Sequence, residues 1–142
     1  MDTQNPRYRW RWYATTSGRK PVKDFLESLT EVDRSLVVEN MREISLHGLI
    51  AARHVRDEIY EVRITGQQSS YRVLFASEGR KSQVFLALVG FTKRTQKTPI
   101  RQIDLAKRRL SDWRNRGLKI RQRRENGWDG RVIPARSRII WR

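Results

Sequence analysis

Strict alternation opens the chain. Between Arg7 and Tyr13, Tyr8, Trp10 and Trp12 fall on one side and Arg7, Arg9 and Arg11 on the other, the period of two that marks a half-buried strand. Ser17-Gly18-Arg19-Lys20-Pro21 reads as a turn. Pro21 suits the first position of a helix, where the N–H it lacks would have no partner anyway. Val22, Phe25, Leu26 and Leu29 follow at helical spacing. Glu31 to about His47 predicts a second helix, with Val37, Met41 and Ile44 on one stripe and Gly48 as its stop.

Three strands are predicted next, over Glu58–Ile64, Tyr71–Ala76 and Gln83–Phe91. The last is almost continuously apolar through Val84-Phe85-Leu86-Ala87-Leu88-Val89, as expected of a central strand covered on both faces. Gly90 marks a bulge or a close backbone approach. A polar loop, Thr92–Thr98, leads into a final helix with Thr98 as N-cap and Pro99 at the first helical position. Its inner stripe is Ile103, Ala106, Leu110 and Trp113, and Gly117 is its expected stop. The order is α+β: a small antiparallel or mixed sheet with two N-terminal helices and one C-terminal helix.

Charge changes the picture. The 142 residues carry 31 Lys and Arg against 15 Asp and Glu, a net +16. Self-repulsion of that size makes a polyanion the first partner to consider, nucleic acid ahead of an anionic membrane surface. Residues 114–142 hold ten basic and two acidic side chains, 10 − 2 = +8, half the total on about a fifth of the length. The chain therefore divides into a basic globular domain, residues 1–116, and a more basic tail, residues 117–142. With 37% hydrophobic residues there is material for one modest core. The chain has no cysteine, which excludes disulfides, thiolate zinc sites and cysteine nucleophiles. No apolar run reaches a membrane span, and MDTQNPRYRWRWY has no apolar signal-peptide core. A soluble cytoplasmic protein is expected.

The central hairpin concentrates candidate chemistry. With a symmetric loop Thr65–Ser70, Ile64 pairs with Tyr71, Arg63 lies opposite Arg72 and Tyr60 opposite Phe75. One face reads Tyr60, Val62, Ile64, Tyr71, Val73, Phe75, which is core. The other reads Ile59, Glu61, Arg63, Arg72, Leu74, Ala76. Two arginines directly across a ladder repel unless an anion lies between them. Taken alone, the pair fits an ordinary solvated strand face, with Glu61 offsetting part of the repulsion, as well as an anion site. The loop Thr92-Lys93-Arg94-Thr95-Gln96-Lys97-Thr98 packs three cations and four hydrogen-bonding side chains ahead of a helix start. It fits a phosphate site and an ordinary capping loop equally.

Three phrases in order carry a resemblance: Ile59-Tyr60-Glu61-Val62-Arg63, Tyr71-Arg72-Val73-Leu74-Phe75, and Phe91 to Pro99 ending in Thr-Gln-Lys-Thr-Pro, with Ile103, Ala106 and Arg109 beyond. From about Trp10 to Trp113 the chain resembles the RelE superfamily, nearest its HigB-type and phage-derived branch; the tail lies outside. The resemblance implies a small basic ribonuclease, the toxin of a toxin–antitoxin pair, that cuts messenger RNA on the ribosome without a cofactor. A HigA-like helix-turn-helix antitoxin, the ribosome and mRNA are the implied partners. Catalytic candidates are Arg63, Arg72, Lys93 and Lys97. Glu61, Tyr71 and Gln96 fall on motif positions as supporting RNA contacts, beside Arg94. Lys119 and Arg121 of the tail suit ribosomal RNA.

Metal-free RNA cleavage needs a base for the ribose 2′-hydroxyl, positive charge for the pentavalent phosphate and an acid for the 5′-oxygen. Arg63 and Arg72 suit the charge, because a guanidinium stays protonated and forks onto phosphate oxygens. Either Lys93 or Lys97 suits proton transfer, since a lysine among cations is a weaker base. His47 and His54 read as structural or surface groups. Neither paired carboxylates nor a metal-ligand cluster offers a rival chemistry. Two alternatives stand beside the toxin: a catalytically inactive phage-derived nucleic-acid-binding protein, and a basic surface made for an acidic protein partner. Trp10, Trp12 and Trp113 read as core, leaving Trp128 and Trp141 of the tail for stacking.

Overall fold

A computed structural model of the chain describes residues 7–67, 69–79, 81–94 and 97–125, and for 118–125 the backbone alone. The expected tail contacts beyond residue 125 lie outside it. Five strands form one mixed sheet: β1 (Arg9–Trp12), β2 (Arg53–Arg56), β3 (Ile59–Thr65), β4 (Ser70–Glu78) and β5 (Val84–Lys93), in the order β1-β5-β4-β3-β2. β1 runs parallel to β5, and every other pair is antiparallel. The helices are α1 (Pro21–Glu27), α2 (Glu31–His47) and α3 (Ile100–Glu125).

The alternation of the first strand holds. Trp10 and Trp12 are buried, and the Trp10 indole donates to the Met41 carbonyl at 2.8 Å. α2 begins under a Thr30 cap, whose hydroxyl accepts from the Asp33 N–H, and ends at Gly48, where φ is +81°. Val37, Met41 and Ile44 join Val22, Leu26, Trp10, Val73 and Phe75 in a core between the two N-terminal helices and one face of the sheet. Gly90 is the close approach its position suggested: a Cβ there would lie 2.5 Å from the Phe25 ring.

The hairpin register is as expected, with Arg63 opposite Arg72, Ile64 opposite Tyr71 and Tyr60 opposite Phe75. Its second face is not solvated. Ile59, Leu74, Ala76, Leu86 and Leu88 are fully buried there and form a second core with Ile103, Ala106 and Leu110 of α3. Alternation along β3 and β4 cannot reveal a helix that packs from forty residues away in sequence. Charged contacts fasten that helix. Arg114 reaches Glu58 and Glu78, each at 2.7 Å, Lys107 reaches Asp57 at 2.8 Å, and the Tyr13 hydroxyl donates to Asp112 at 2.6 Å.

Four local expectations need correction. β2 was missed, because four residues are too short to show a period; it joins β3 through a turn in which Asp57 takes φ +50°. β5 runs on to Lys93, so the loop is shorter than Thr92–Thr98. α3 begins at Ile100, and the Pro99 carbonyl accepts the first bonds, from Gln102 and Ile103. Gly117 does not stop α3, which continues to Glu125. A glycine inside a helix costs only about 1 kcal/mol relative to alanine, and the good helix formers from Leu118 to Glu125 offset that.

Candidate nucleic-acid interface

The two-residue step that puts Glu61 and Arg63 on the α3 side of β3 carries them past the end of the second core. There the Glu61 carboxylate, 1% exposed, becomes the hub of the site. Oε1 accepts from Arg63 Nε at 2.7 Å and lies 3.9 Å from Arg53 Nε. Oε2 accepts from the Thr98 hydroxyl at 2.7 Å and lies 3.9 Å from Arg72 Nε. One buried carboxylate thus meets three guanidiniums from three strands, the arrangement that lets a charge leave water. Glu61 also resolves the repulsion of the facing arginines, as a diagonal neighbour within reach of both.

The arginines differ in access. Arg72 is buried, and its Nη1 donates to the Tyr71 carbonyl at 3.0 Å. Burial lowers its basicity first; Glu61 acts the other way, and the nearby Arg53 charge adds to the lowering. It remains a cation all the same, as arginine does in proteins. The side chains of Arg63 and Arg53 are 41% and 58% exposed. They line a cleft of about 200 Å³ with His54, Arg56, Lys97 and Thr98. His54 Nε2 lies 2.7 Å from the Asp57 carbonyl oxygen, and its ring packs against Tyr60.

The remaining candidates fall as follows. Lys93 stands opposite Ser70, two positions along the ladder from Arg72, so the register places it on the face of Arg63 and Arg72. Lys97 lines the cleft itself, and Arg94 is exposed in the loop. Gln96 lies outside the described residues. Tyr71 is not brought to the site: it occupies the opposite face, where its buried hydroxyl donates to Asp33. That hydrogen bond, then burial, holds the phenol above its ordinary pKa. Lys119 and Arg121 are on the last turns of α3, whose start borders the cleft. At 1.5 Å per residue they sit roughly 28 Å or more along the helix from it.

The sequence pattern does not point to Arg53 or Arg56, it gives His54 a structural or surface place, and it makes Thr98 a helix cap rather than a partner of Glu61. Three basic or imidazole side chains in the four positions Arg53–Arg56 were the available signal; only the pairing of β2 with β3 brings them to Glu61. Among the described residues, no group of three His, Cys, Asp or Glu is placed to hold a metal ion, and no helix is long and apolar enough to cross a membrane. What the cleft offers is a row of cations, hydrogen-bond donors and one imidazole, chemistry suited to a phosphodiester.

A family model described as "Phage derived protein Gp49-like (DUF891)" matches residues 24–111, more than half of the chain and all of the site. No curated protein matches it.

Proposed function

Because this chain belongs to the phage-derived Gp49-like family, within the RelE/toxin-like superfamily, we propose that it is the toxin of a type II toxin–antitoxin pair, a HigB-type endoribonuclease that cuts messenger RNA on the ribosome. The observation that carries this reading is the Glu61 hub: one buried carboxylate presenting Arg63 and Arg53 to a cleft that Lys97 and His54 share. A surface made only for solvation has no reason to bury Glu61 and Arg72 beneath it.

In the reaction, the ribose 2′-oxygen attacks the adjacent phosphorus and the bond to the 5′-oxygen breaks. A 2′,3′-cyclic phosphate and a 5′-hydroxyl result. The 2′-hydroxyl proton passes to a base, and an acid protonates the leaving oxygen. Arg63 binds the phosphate oxygens and stabilises the pentavalent charge. Arg72 stands behind it, acting through Glu61 and through its field. Lys97, on the cleft wall, and Lys93, on the same face, are the proton-transfer lysines. His54 joins them as the imidazole of the cleft, a further side chain that can pass a proton.

The family context also implies a neutralising antitoxin, for which we propose a HigA-like helix-turn-helix protein. The experiment adds the protein to translating ribosomes and maps messenger ends. Wild type gives discrete cuts, and Arg63→Ala, folded by circular dichroism, gives about a hundredfold fewer. Equal cutting by the variant removes Arg63 from the mechanism. No cutting by wild type, with salt-dependent RNA binding intact, makes the protein a non-catalytic RNA binder.

A further inference from the structure

Resting on the RNA-directed reading of the cleft, we propose that the protein has a second nucleoside subsite. It lies in the groove between α2 and the turn Leu49–Ala51, and a phosphate perch made by Arg53 and Arg63 joins it to the cleft. It takes the base of a neighbouring nucleotide in a single-stranded RNA.

Two cavities meet along Glu61. The cleft of about 200 Å³ shares Arg53, Glu61 and Arg63 with a groove of about 300 Å³ on the α2 side. Both arginines direct Nε at the same Glu61 Oε1, Arg63 at 2.7 Å and Arg53 at 3.9 Å. A buried carboxylate hydrogen-bonds one half-exposed guanidinium and lies 3.9 Å from a second, with a cavity to either side of them. A phosphodiester has that layout: one anionic phosphate with a nucleoside on each side.

The groove has the lining a base needs. Ile44, Ala51, Ala52 and Val62 make an apolar floor, and the two alanines keep it low. Asn40 and Glu43 of α2 form the polar part. The Asn40 amide nitrogen donates one N–H to the Leu36 carbonyl at 2.8 Å, which leaves its second N–H and its carbonyl oxygen for a ligand. Glu43 is paired with His47 at 3.3 Å, and its side chain is 54% exposed. Acceptors there favour a base edge carrying an exocyclic amino group, as in adenine, cytosine or guanine. The Glu43 carboxylate, which only accepts, disfavours uracil, whose edge has two carbonyl oxygens and a single N–H. The same acceptors weigh against an acidic peptide: it would satisfy Arg53 and Arg63 but meet Glu43 with like charge.

The test is an NMR titration of the isotopically labelled full chain at low salt. The probes are inorganic phosphate, adenosine monophosphate, a tetraglutamate peptide, and dinucleotides whose first ribose lacks the 2′-hydroxyl and so resists cleavage. The dinucleotide with a 3′-adenine shifts the amides of Asn40, Ala51 and Ala52 together with that of His54. It binds about tenfold tighter than its 3′-uracil counterpart, the scale of one good base-edge contact. Arg53→Ala weakens both dinucleotides, and Glu43→Ala removes the difference between them.

Shifts confined to the His54 side, no shifts at all, no preference for the amino-bearing base, or stronger shifts from tetraglutamate overturn the proposal. The two readings fail separately. Shifts at Asn40, Ala51 and Ala52 without ribosome-dependent cutting keep the subsite and remove the nuclease, and cutting without those shifts does the reverse.

Discussion

The Thr98 hydroxyl donates to the Glu61 carboxylate at 2.7 Å, joining two residues thirty-seven positions apart. Through this bond the segment that precedes α3 is held against the middle of β3, and Lys97 with it. Thr98→Val keeps the shape and removes the donor. A hydrogen bond to a charged group is worth about 1.5–3 kcal/mol, so urea unfolding shifts by that order. Messenger cleavage falls further than stability accounts for, because Lys97 loses its anchor. Unchanged cleavage would show that Lys97 is positioned by other contacts.

Glu61 and the two facing arginines separate structure from chemistry. Glu61→Gln leaves Arg72 buried beside Arg53 with no carboxylate, and breaking a buried pair costs about 3–5 kcal/mol. Arg63→Ala takes one donor from the buried carboxylate and leaves Arg72 and Thr98 in place, so it costs less, about 1.5–3 kcal/mol, the scale of one hydrogen bond to a charged group. Thermal melts of both variants check the contrast. A melt in which Arg63→Ala is the more damaging would put the hub at Arg63 instead.

Tyr71 sets a slope at alkaline pH. Its folded pKa lies above the unfolded value near 10, because the Asp33 hydrogen bond and burial favour the neutral phenol. The unfolded chain releases the proton first. This contribution is therefore complete below about pH 10 and is lost as pH rises from there through the folded pKa. Tyr71→Phe removes that part of the alkaline slope and destabilises the protein at neutral pH by about 1.5–3 kcal/mol, since Asp33 keeps only the longer bond from the Gln67 N–H among its described side-chain partners. Urea midpoints measured between pH 8 and about 11 read both effects. A slope identical in the variant would assign it to other groups, with Tyr13, also raised by burial and by Asp112, the first to examine.

Gly90 is a packing requirement. Its missing Cβ makes room for the Phe25 ring, so Gly90→Ala pushes α1 off β5 and costs about 1–3 kcal/mol, the usual range for overpacking. Phe25→Leu in the same chain recovers part of the loss. Additive losses in the double variant would mean that the two sites do not touch.

Gly117 tests the course of α3. Since the helix passes through it, Gly117→Ala raises stability by up to about 1 kcal/mol. A helix ending there in a left-handed turn would instead lose stability on the same change.

Local pattern alone determined a good part of this protein. The period of two over Tyr8–Trp12, the stripe Val37–Met41–Ile44 and the register of Arg63 on Arg72 are decided by neighbours a few residues apart, so they are legible in the chain; the hairpin loop is shorter than Thr65–Ser70, because those two residues pair as the last step of the ladder. The family phrases pointed to Glu61, Arg63, Arg72 and Lys97 for the same reason: each motif is continuous. What only the tertiary structure decided depends on contacts between distant segments. α3 covers the second face of the hairpin with a core, which decides between a solvated face and a built site and makes Glu61 a buried hub; it also takes Thr98 from a helix cap to a carboxylate partner. The pairing of β2 brings in Arg53 and His54, and the side of the sheet on which Tyr71 lands sends its hydroxyl to Asp33. The +16 of the sequence announced a polyanion, but a charge count has no direction. The buried carboxylate that holds three of those arginines in place comes from packing, because the desolvation that fixes it depends on what covers it.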